Sequence, residues 1–325
     1  MTILGSYKRY KESYRNYISV LWNMYRKREF ITIILRDGRK SKVNNAIASL
    51  LTYSSKNILT MTEILDYYEH KKLESNQVFQ LSLLINKGID LHKALICLEE
   101  NKISYKNSEI IIHGWLSKGV TNNGDIIGVF IDEEYKFLNV KNEVVIDIGA
   151  NIGDSPLYFA LNDAKKVIAL EPYPYSYNYA LKNIGINNMS SKIMLLNAGY
   201  GRDSEMTVDE NKITDLGTDL ITSRNGKKIK IYSLKTLINN YNLDDGLILK
   251  MDCEGCEYNL LNEDNETLRK FKRIQIEYHY GYEKLVDKLK ECNFDLKYTK
   301  PKKAYIRSAS TPNMLIGWIY AYAGN

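Results

Sequence analysis

The sequence predicts an α/β fold: a Rossmann-like sheet, mostly parallel with an antiparallel C-terminal pair, preceded by a smaller, mainly helical N-terminal region. Two observations carry this expectation. After Asn142, short apolar strands alternate with helical stretches, the pattern of a parallel sheet covered on both faces. The first of these strands, Val144 to Ile148, runs into a glycine-containing turn and then a helix near Pro156, as cofactor-binding βα units do. A chain of 325 residues exceeds one usual domain, so a division is expected, with residues 1–135 as the N-terminal region and 136–325 as the sheet domain.

In chain order, Tyr7 to Arg28 places apolar and basic residues at helical spacing and reads as one amphipathic helix. Phe30 to Leu35 is β-branched and followed by Asp37-Gly38, a hairpin turn signal, with a helical stretch over Val43 to Thr52. Thr62 to Leu98 reads as mostly helical, with caps at Thr62 and Ser75 and a break at Gly88. Glu109 to Trp115 and Ile126 to Ile131 read as a hairpin that covers the substrate, joined by a loop with Asn122, Asn123 and Gly124. The parallel strands are then Val144 to Ile148, Lys166 to Leu170, Ile193 to Asn197, Leu247 to Met251 and Arg273 to Tyr278. Phe294 to Thr299 and Leu315 to Tyr322 form the antiparallel pair.

A 44% apolar and 26% charged composition excludes a disordered chain. The formal net charge of +6 is spread over scattered lysines; it permits nucleic acid, a phosphorylated lipid carrier or a membrane surface as partner without requiring one. No apolar run is long enough to cross a bilayer and the first 25 residues lack the apolar core of a secretory signal, so a cytoplasmic location is expected. Four cysteines are too few for a disulfide framework. Cys253 and Cys256 have C-x-x-C spacing, but no second pair completes a zinc shell, so they are read as small buried residues. No metal ion is expected, because paired carboxylates are a weak metal signature, with recruitment of a divalent cation by Asp252, Glu254 and Glu277 as the alternative.

The run Asp147-Ile148-Gly149-Ala150-Asn151-Ile152-Gly153-Asp154 is not the G-x-G-x-x-G of a pyrophosphate site. Asp147 ends the strand, and Asp154 would repel a phosphate at the helix start. A cationic cofactor without phosphates, such as S-adenosylmethionine, fits those charges better. Gly149 and Gly153 are the positions at which a ligand is expected to approach the backbone. Glu171, in Glu171-Pro172 at the end of the next strand, is placed to accept hydrogen bonds from ribose hydroxyls.

These motifs, with Asn197-Ala198 and Lys250-Met251-Asp252-Cys253-Glu254-Gly255-Cys256-Glu257, resemble the FkbM family of class I S-adenosylmethionine-dependent methyltransferases over about Val144 to Gly281. The resemblance implies that Asp147, Gly149, Asn151 and Gly153 line the methionine end of the cofactor, that Glu171 holds the ribose and that Asn197 and Ala198 border the adenine. Asp154 joins this cofactor-binding set by its charge.

Asp252 and Glu254 follow an apolar strand, where open α/β sheets bind ligands, and Glu277 and His279 share a face near the end of the next strand. His279 is the expected general base, with Asp252 and Glu254 orienting it or the acceptor. Glu257 is expected only to start a helix, and the tyrosines at 173, 175, 177 and 179 to pack. The family implies O-methylation of a hydroxyl on a small molecule, a glycan or a lipid-linked intermediate. RNA methylation is a weaker alternative because no RNA-binding module is recognised, and a non-catalytic binder with the same fold is a third.

Overall fold

The computed structural model describes residues 3–52, 58–71, 75–114, 126–210, 223–303 and 314–324. The chain forms two compact units, Met1–Lys102 and Ile103–Asn325, so the division falls well before residue 135. The first unit holds α1 (Ile3–Ser13), α2 (Tyr17–Tyr25), a β1 (Phe30–Ile34) to β2 (Lys40–Asn44) hairpin, α3 (Asn45–Leu51), α4 (Ile58–Lys71), α5 (Ser75–Asn86) and α6 (Leu91–Glu100). The single helix expected from Tyr7 to Arg28 is two. Tyr14 bridges to Leu35, the Arg15 amide donates to the Ile34 carbonyl, and the Asn16 side chain bonds Thr32 and Ile34 like an extra stretch of strand. Thr62 lies inside α4 and not at its start, whereas Gly88, at φ +81°, does separate α5 from α6.

The second unit begins at a β3 (Lys102–Tyr105) to β4 (Ser108–Ile111) hairpin. Its continuation is tied to α8 (Pro174–Ile186) and the residue after it. Asn183 and Asn187, four residues apart and so on one face, bond both the amide and the carbonyl of His113 and Ile111 respectively. Those four bonds place residues 103–114 with the sheet unit. The expected hairpin partner of this strand, Ile126 to Ile131, is a π-helical turn over Ile127–Ile131. A short apolar run cannot distinguish a buried strand from a buried helix. Trp115 and the loop at Asn122, Asn123 and Gly124 lie outside the described residues.

The main sheet joins β5 (Val144–Ile148), β6 (Lys166–Leu170), β7 (Ile193–Leu196), β11 (Leu247–Met251), β12 (Phe271–Tyr278), β13 (Phe294–Tyr298) and β15 (Leu315–Ala323) in the order β13-β15-β12-β11-β5-β6-β7, with the two-residue β14 (Lys302–Lys303) paired to β15. The five strands from β12 to β7 are parallel, and β15 runs antiparallel to both β12 and β13. This is the expected class, with all seven expected strands present. Helices α7 (Asp154–Leu161), α8, α9 (Leu234–Asn240), α10 (Asn265–Arg269) and α11 (Glu283–Glu291) connect it. Ile146, Leu249, Ile274, Phe271 and Leu289 belong to one buried core. A second, three-stranded sheet, ordered β8 (Ala198–Tyr200), β10 (Lys227–Tyr232), β9 (Ser204–Val208), was not expected. Its Val208, Ile229 and Ile231 pack on Tyr173, which is therefore a packing residue.

The chain leaves β5 toward β6 and β7 and later returns to β11 on the other side of β5, so the switch point lies between β5 and β11. The turn after β5 meets the turn after β11 there. A Cβ on Gly149, at φ +86°, would lie 1.8 Å from the Asp252 carbonyl oxygen, and one on Gly153, at φ +91°, would lie 3.0 Å from Ala180 Cα. Both glycines are thus required by the approach of other parts of the chain, where a ligand approach had been expected. Gly149→Ala is expected to destabilise the protein by roughly 2 to 4 kcal/mol through strain and overlap. Gly185→Ala, inside α8 with open space around it, should be neutral or stabilising by up to about 1 kcal/mol. Urea midpoints of the two variants check this, and equal midpoints would contradict the packing described.

Candidate active site

The site is built on one row across the sheet. Lys250 pairs in register with Asp147 on one side and Gln275 on the other, so all three side chains project on the same face. Lys250 is 1% exposed, and its ammonium lies 3.1 Å from Asp147 Oδ1 and donates to the Gly149 carbonyl oxygen at 2.7 Å. Burial would lower the Lys250 pKa, but the charges of Asp147, Asp252 and Asp154 raise it above the ordinary value, so it stays cationic. Ser155 Oγ donates to Asp147 Oδ2 at 2.7 Å. With both oxygens engaged, Asp147 holds the turn in place. A lysine inside the apolar run Leu247 to Met251 was the signal for this pair, since a strand buried on both faces has no other use for an ammonium.

Around the turn, Glu171 is 4% exposed and accepts the Asn151 and Tyr173 amides, each at 2.9 Å. Burial raises its pKa to about 8, against those two bonds. Each carboxylate oxygen keeps a second lone pair for another donor. Asn151 sits in the left-handed region at φ +46°, which aims its amide at Glu171. Asn197 Nδ2 donates to the carbonyls of Glu171 and Pro172, while its buried Oδ1 has no hydrogen-bond partner among the described residues. Ala198 is buried beside it at the start of β8. Asp154 opens α7, where the helix N-terminus favours negative charge, yet burial raises its pKa to about 6.

On the other side of the switch point, Asp252, Glu254, Glu277 and His279 come together as expected. His279 is 1% exposed, with Nδ1 3.0 Å from Glu257 Oε1 and Nε2 3.1 Å from Glu254 Oε2. Glu257 also accepts the His279 and Gly255 amides. Burial alone would lower the His279 pKa, but the hydrogen bond and charge of Glu257, then Glu254 and Asp252, carry it up to about 10. An imidazolium with both nitrogens facing carboxylates cannot accept a proton near neutral pH, which argues against the expected base role. Glu257, expected merely to start a helix, is a fully buried part of this network.

Ligand atoms of Asp252, Glu277 and His279 lie within 4.8 Å of one another, the one group among the described residues with the composition to hold a metal ion. Burial and then the Asp252 charge push the Glu277 pKa well above the carboxylate range. Glu134 adds a further carboxyl: burial, then Asp252 and Asp154, raise its pKa to about 8. The Gln275 side chain fixes that segment through the Glu134 carbonyl, and the Tyr135 hydroxyl lies 3.5 Å from Asp252 Oδ2. Neither Glu134 nor Tyr135 was signalled by a motif, because the segment lies before the first recognisable strand. Cys253 and Cys256 are half-buried and joined as a disulfide, correcting their reading as small buried residues. The bond closes a ring around Glu254 and Gly255.

A family profile described as the methyltransferase FkbM domain matches residues 147–296, a span that holds the turn after β5, Glu171 after β6 and the acidic residues after β11 and on β12. The chain belongs to the FkbM methyltransferase family. It is 31% identical to the uncharacterized protein 158B of Sulfolobus islandicus rod-shaped virus 1, over 48% of this chain and 73% of that one. It is 28% identical to the tRNA(Phe) (4-demethylwyosine(37)-C(7)) aminocarboxypropyltransferase of Pyrococcus horikoshii, over 70% and 78%. It is 23% identical to the hexuronic acid methyltransferase AglP of Haloferax volcanii, over 51% of this chain and 66% of that one. The matched residues run from Asp147 in β5 into β13 and include both turns, while Met1–Lys102 and β15 lie outside them.

Two outcomes follow from these charges. Lys250→Met leaves Asp147 buried without its cation and should destabilise by about 3 to 5 kcal/mol, with adding Asp147→Asn recovering part of the loss. Denaturant unfolding of the single and double variants measures the coupling, and additive losses would refute it. Glu134, with its folded pKa raised from 4.5 to about 8, contributes stability that is full below about pH 4.5 and lost as the pH rises to 8. Glu134→Gln should therefore gain roughly 1 to 3 kcal/mol over the natural protein at pH 8 and little at pH 4.5; a pH-independent difference in Tm would contradict the buried acid.

Proposed function

We propose that the chain uses S-adenosylmethionine to methylate a hydroxyl group on a small molecule, a glycan or a lipid-linked acceptor. The observation that carries this reading is the crowd of carboxyl groups, Asp252, Glu277 and Glu134, at the carboxyl ends of β11 and β12, beside the turn that Glu171 holds. The residues suit the cofactor. Glu171 has spare lone pairs for ribose hydroxyls, and the unpartnered Asn197 Oδ1 can accept from the adenine amino group. The surplus of carboxyl groups around Asp154 and Asp252 suits a sulfonium and an ammonium.

When bound, S-adenosylmethionine supplies an electrophilic methyl group. The chain's part is to align the acceptor oxygen and take its proton as the oxygen–carbon bond forms and the carbon–sulfur bond breaks. Asp252, whose ligand oxygen lies within 4.8 Å of those of Glu277 and His279, is the acceptor for it, with Glu277 beside it to orient the acceptor hydroxyl. The His279 imidazolium, clamped by Glu254 and Glu257, is a positioning residue that fixes the loop beside Asp252. The hexuronic acid methyltransferase among the relatives supports a glycan acceptor.

A second reading has its own support: the RNA-modifying relative aligns with 70% of this chain and is named for transfer of an aminocarboxypropyl group. The leaving product separates them, since methyl transfer yields S-adenosylhomocysteine and aminocarboxypropyl transfer yields methylthioadenosine. Incubation with labelled cofactor, an archaeal or bacterial glycan and small-molecule extract, and total tRNA, followed by mass spectrometry, should give S-adenosylhomocysteine in the first case. Methylthioadenosine with modified tRNA would overturn the proposal, and cofactor binding without turnover would favour a non-catalytic binder.

By calorimetry, Glu171→Ala should weaken S-adenosylmethionine binding by roughly 1 to 3 kcal/mol. Asp252→Asn and Glu277→Gln should bind it with little change and slow transfer by about 10²- to 10⁴-fold. Loss of binding in the latter pair, with normal turnover at saturation, would reverse the assignment.

A further inference from the structure

The charge of the chain is not scattered as its composition suggests. Residues 1–44 contain eleven Lys or Arg and three Asp or Glu, an excess of eight, while the remainder contains 34 basic and 36 acidic residues. All of the net positive charge therefore belongs to the segment that holds α1, α2 and the β1–β2 hairpin.

That segment also carries an apolar face turned outward. In α2, Val20 is fully buried and fixes the inner face. Ile18, Leu21, Trp22 and Tyr25 recur at i, i+3, i+4 and i+7, which is a single helical stripe, and it points away from the core: Ile18 is 66% exposed, Trp22 54% and Tyr25 80%. Tyr7 of α1, 45% exposed, lines the same groove. The nine residues of α2 contain no charge, and basic residues flank it, with Arg15 before it and Arg26, Lys27 and Arg28 directly after. The Arg26 guanidinium lies 4.6 Å from the centre of the Trp22 ring, at the rim of the stripe. Arg15 donates to the Arg36 carbonyl, and Arg36 to the carbonyls of Lys11 and Glu12, bonds that bring no opposite charge.

We propose that this face docks on an anionic lipid bilayer surface, with α2 lying in the plane of the interface. An apolar stripe rich in Trp and Tyr and edged by Lys and Arg is the composition of an interfacial helix: the rings enter the headgroup boundary and the cations meet lipid phosphates. Ile18 and Leu21 at the centre of the stripe have no use against nucleic acid, where bases need planar partners. A second copy of the chain would bring two strongly basic segments together, at an electrostatic cost. No described helix is long and apolar enough to cross a membrane, so the contact is peripheral. The proposal does not depend on the acceptor.

The test uses the full chain with vesicles of phosphatidylcholine alone and of phosphatidylcholine with phosphatidylglycerol, separated by flotation over a salt series. The expected result is flotation with the anionic vesicles only, falling with salt. Binding should weaken by about tenfold or more in Ile18→Ser/Trp22→Ser and in Arg26→Gln/Lys27→Gln/Arg28→Gln. These positions are exposed, and unchanged thermal unfolding would confirm that the variants fold. Failure to float with anionic vesicles at low salt overturns the proposal, as does flotation that both variants retain. A stripe-dependent dimer in sedimentation, or stripe-dependent binding to homopolymer RNA without flotation, would overturn it in favour of those partners.

Discussion

A lysine ammonium with no access to water sits at the centre of this sheet, and the rest of the site depends on how its charge is met. Burying an ammonium costs several kcal/mol unless an opposite charge and further hydrogen bonds compensate it. Asp147 and the Gly149 carbonyl can do so only if β5 and β11 lie side by side in the observed register, since a slip of one residue would turn Lys250 to the opposite face. That register sets the turn after β5 against the turn after β11, leaving no room for a side chain at Gly149. One ion pair thereby fixes the distance between the Glu171 side of the switch point and the Asp252 side.

Outward from that pair the charge is graded. Lys250 is enclosed by Asp147, Asp154 and Asp252, and His279 by Glu254 and Glu257, so both cations are neutralised. Glu134, Glu171 and Glu277 are raised well above ordinary carboxyls because burial penalises their charge without a cation of their own. Such groups hold protons that a cationic or hydrogen-bonding occupant would release.

Most of the sheet was legible in the sequence because strands buried on both faces read as continuous apolar runs, and the antiparallel closing pair followed from length and position. The motif residues were legible too, but their roles were not. Asp147 and Gly149 look like ligand contacts in a linear motif, whereas their partners, Lys250 and the Asp252 carbonyl, lie about a hundred residues away. His279 suggests a base until Glu257, 22 residues earlier in the chain, is seen against its ring. The three-stranded sheet escaped notice because its strands are short and two of them, β9 and β10, are half-exposed. The split of the first helix depended on Asn16 mimicking backbone, which no periodicity reveals.

The double employment of Asp147 and Lys250 bears on how much a motif can testify to. A descendant that had lost all turnover would still need this pair, Gly149 and Gly153 in order to fold, and would keep them under selection for stability alone. The strand-and-turn signature therefore vouches for the scaffold. Evidence of a working enzyme has to be sought in the side chains that the scaffold could dispense with, Asp252, Glu277 and Glu134, where drift would first be recorded.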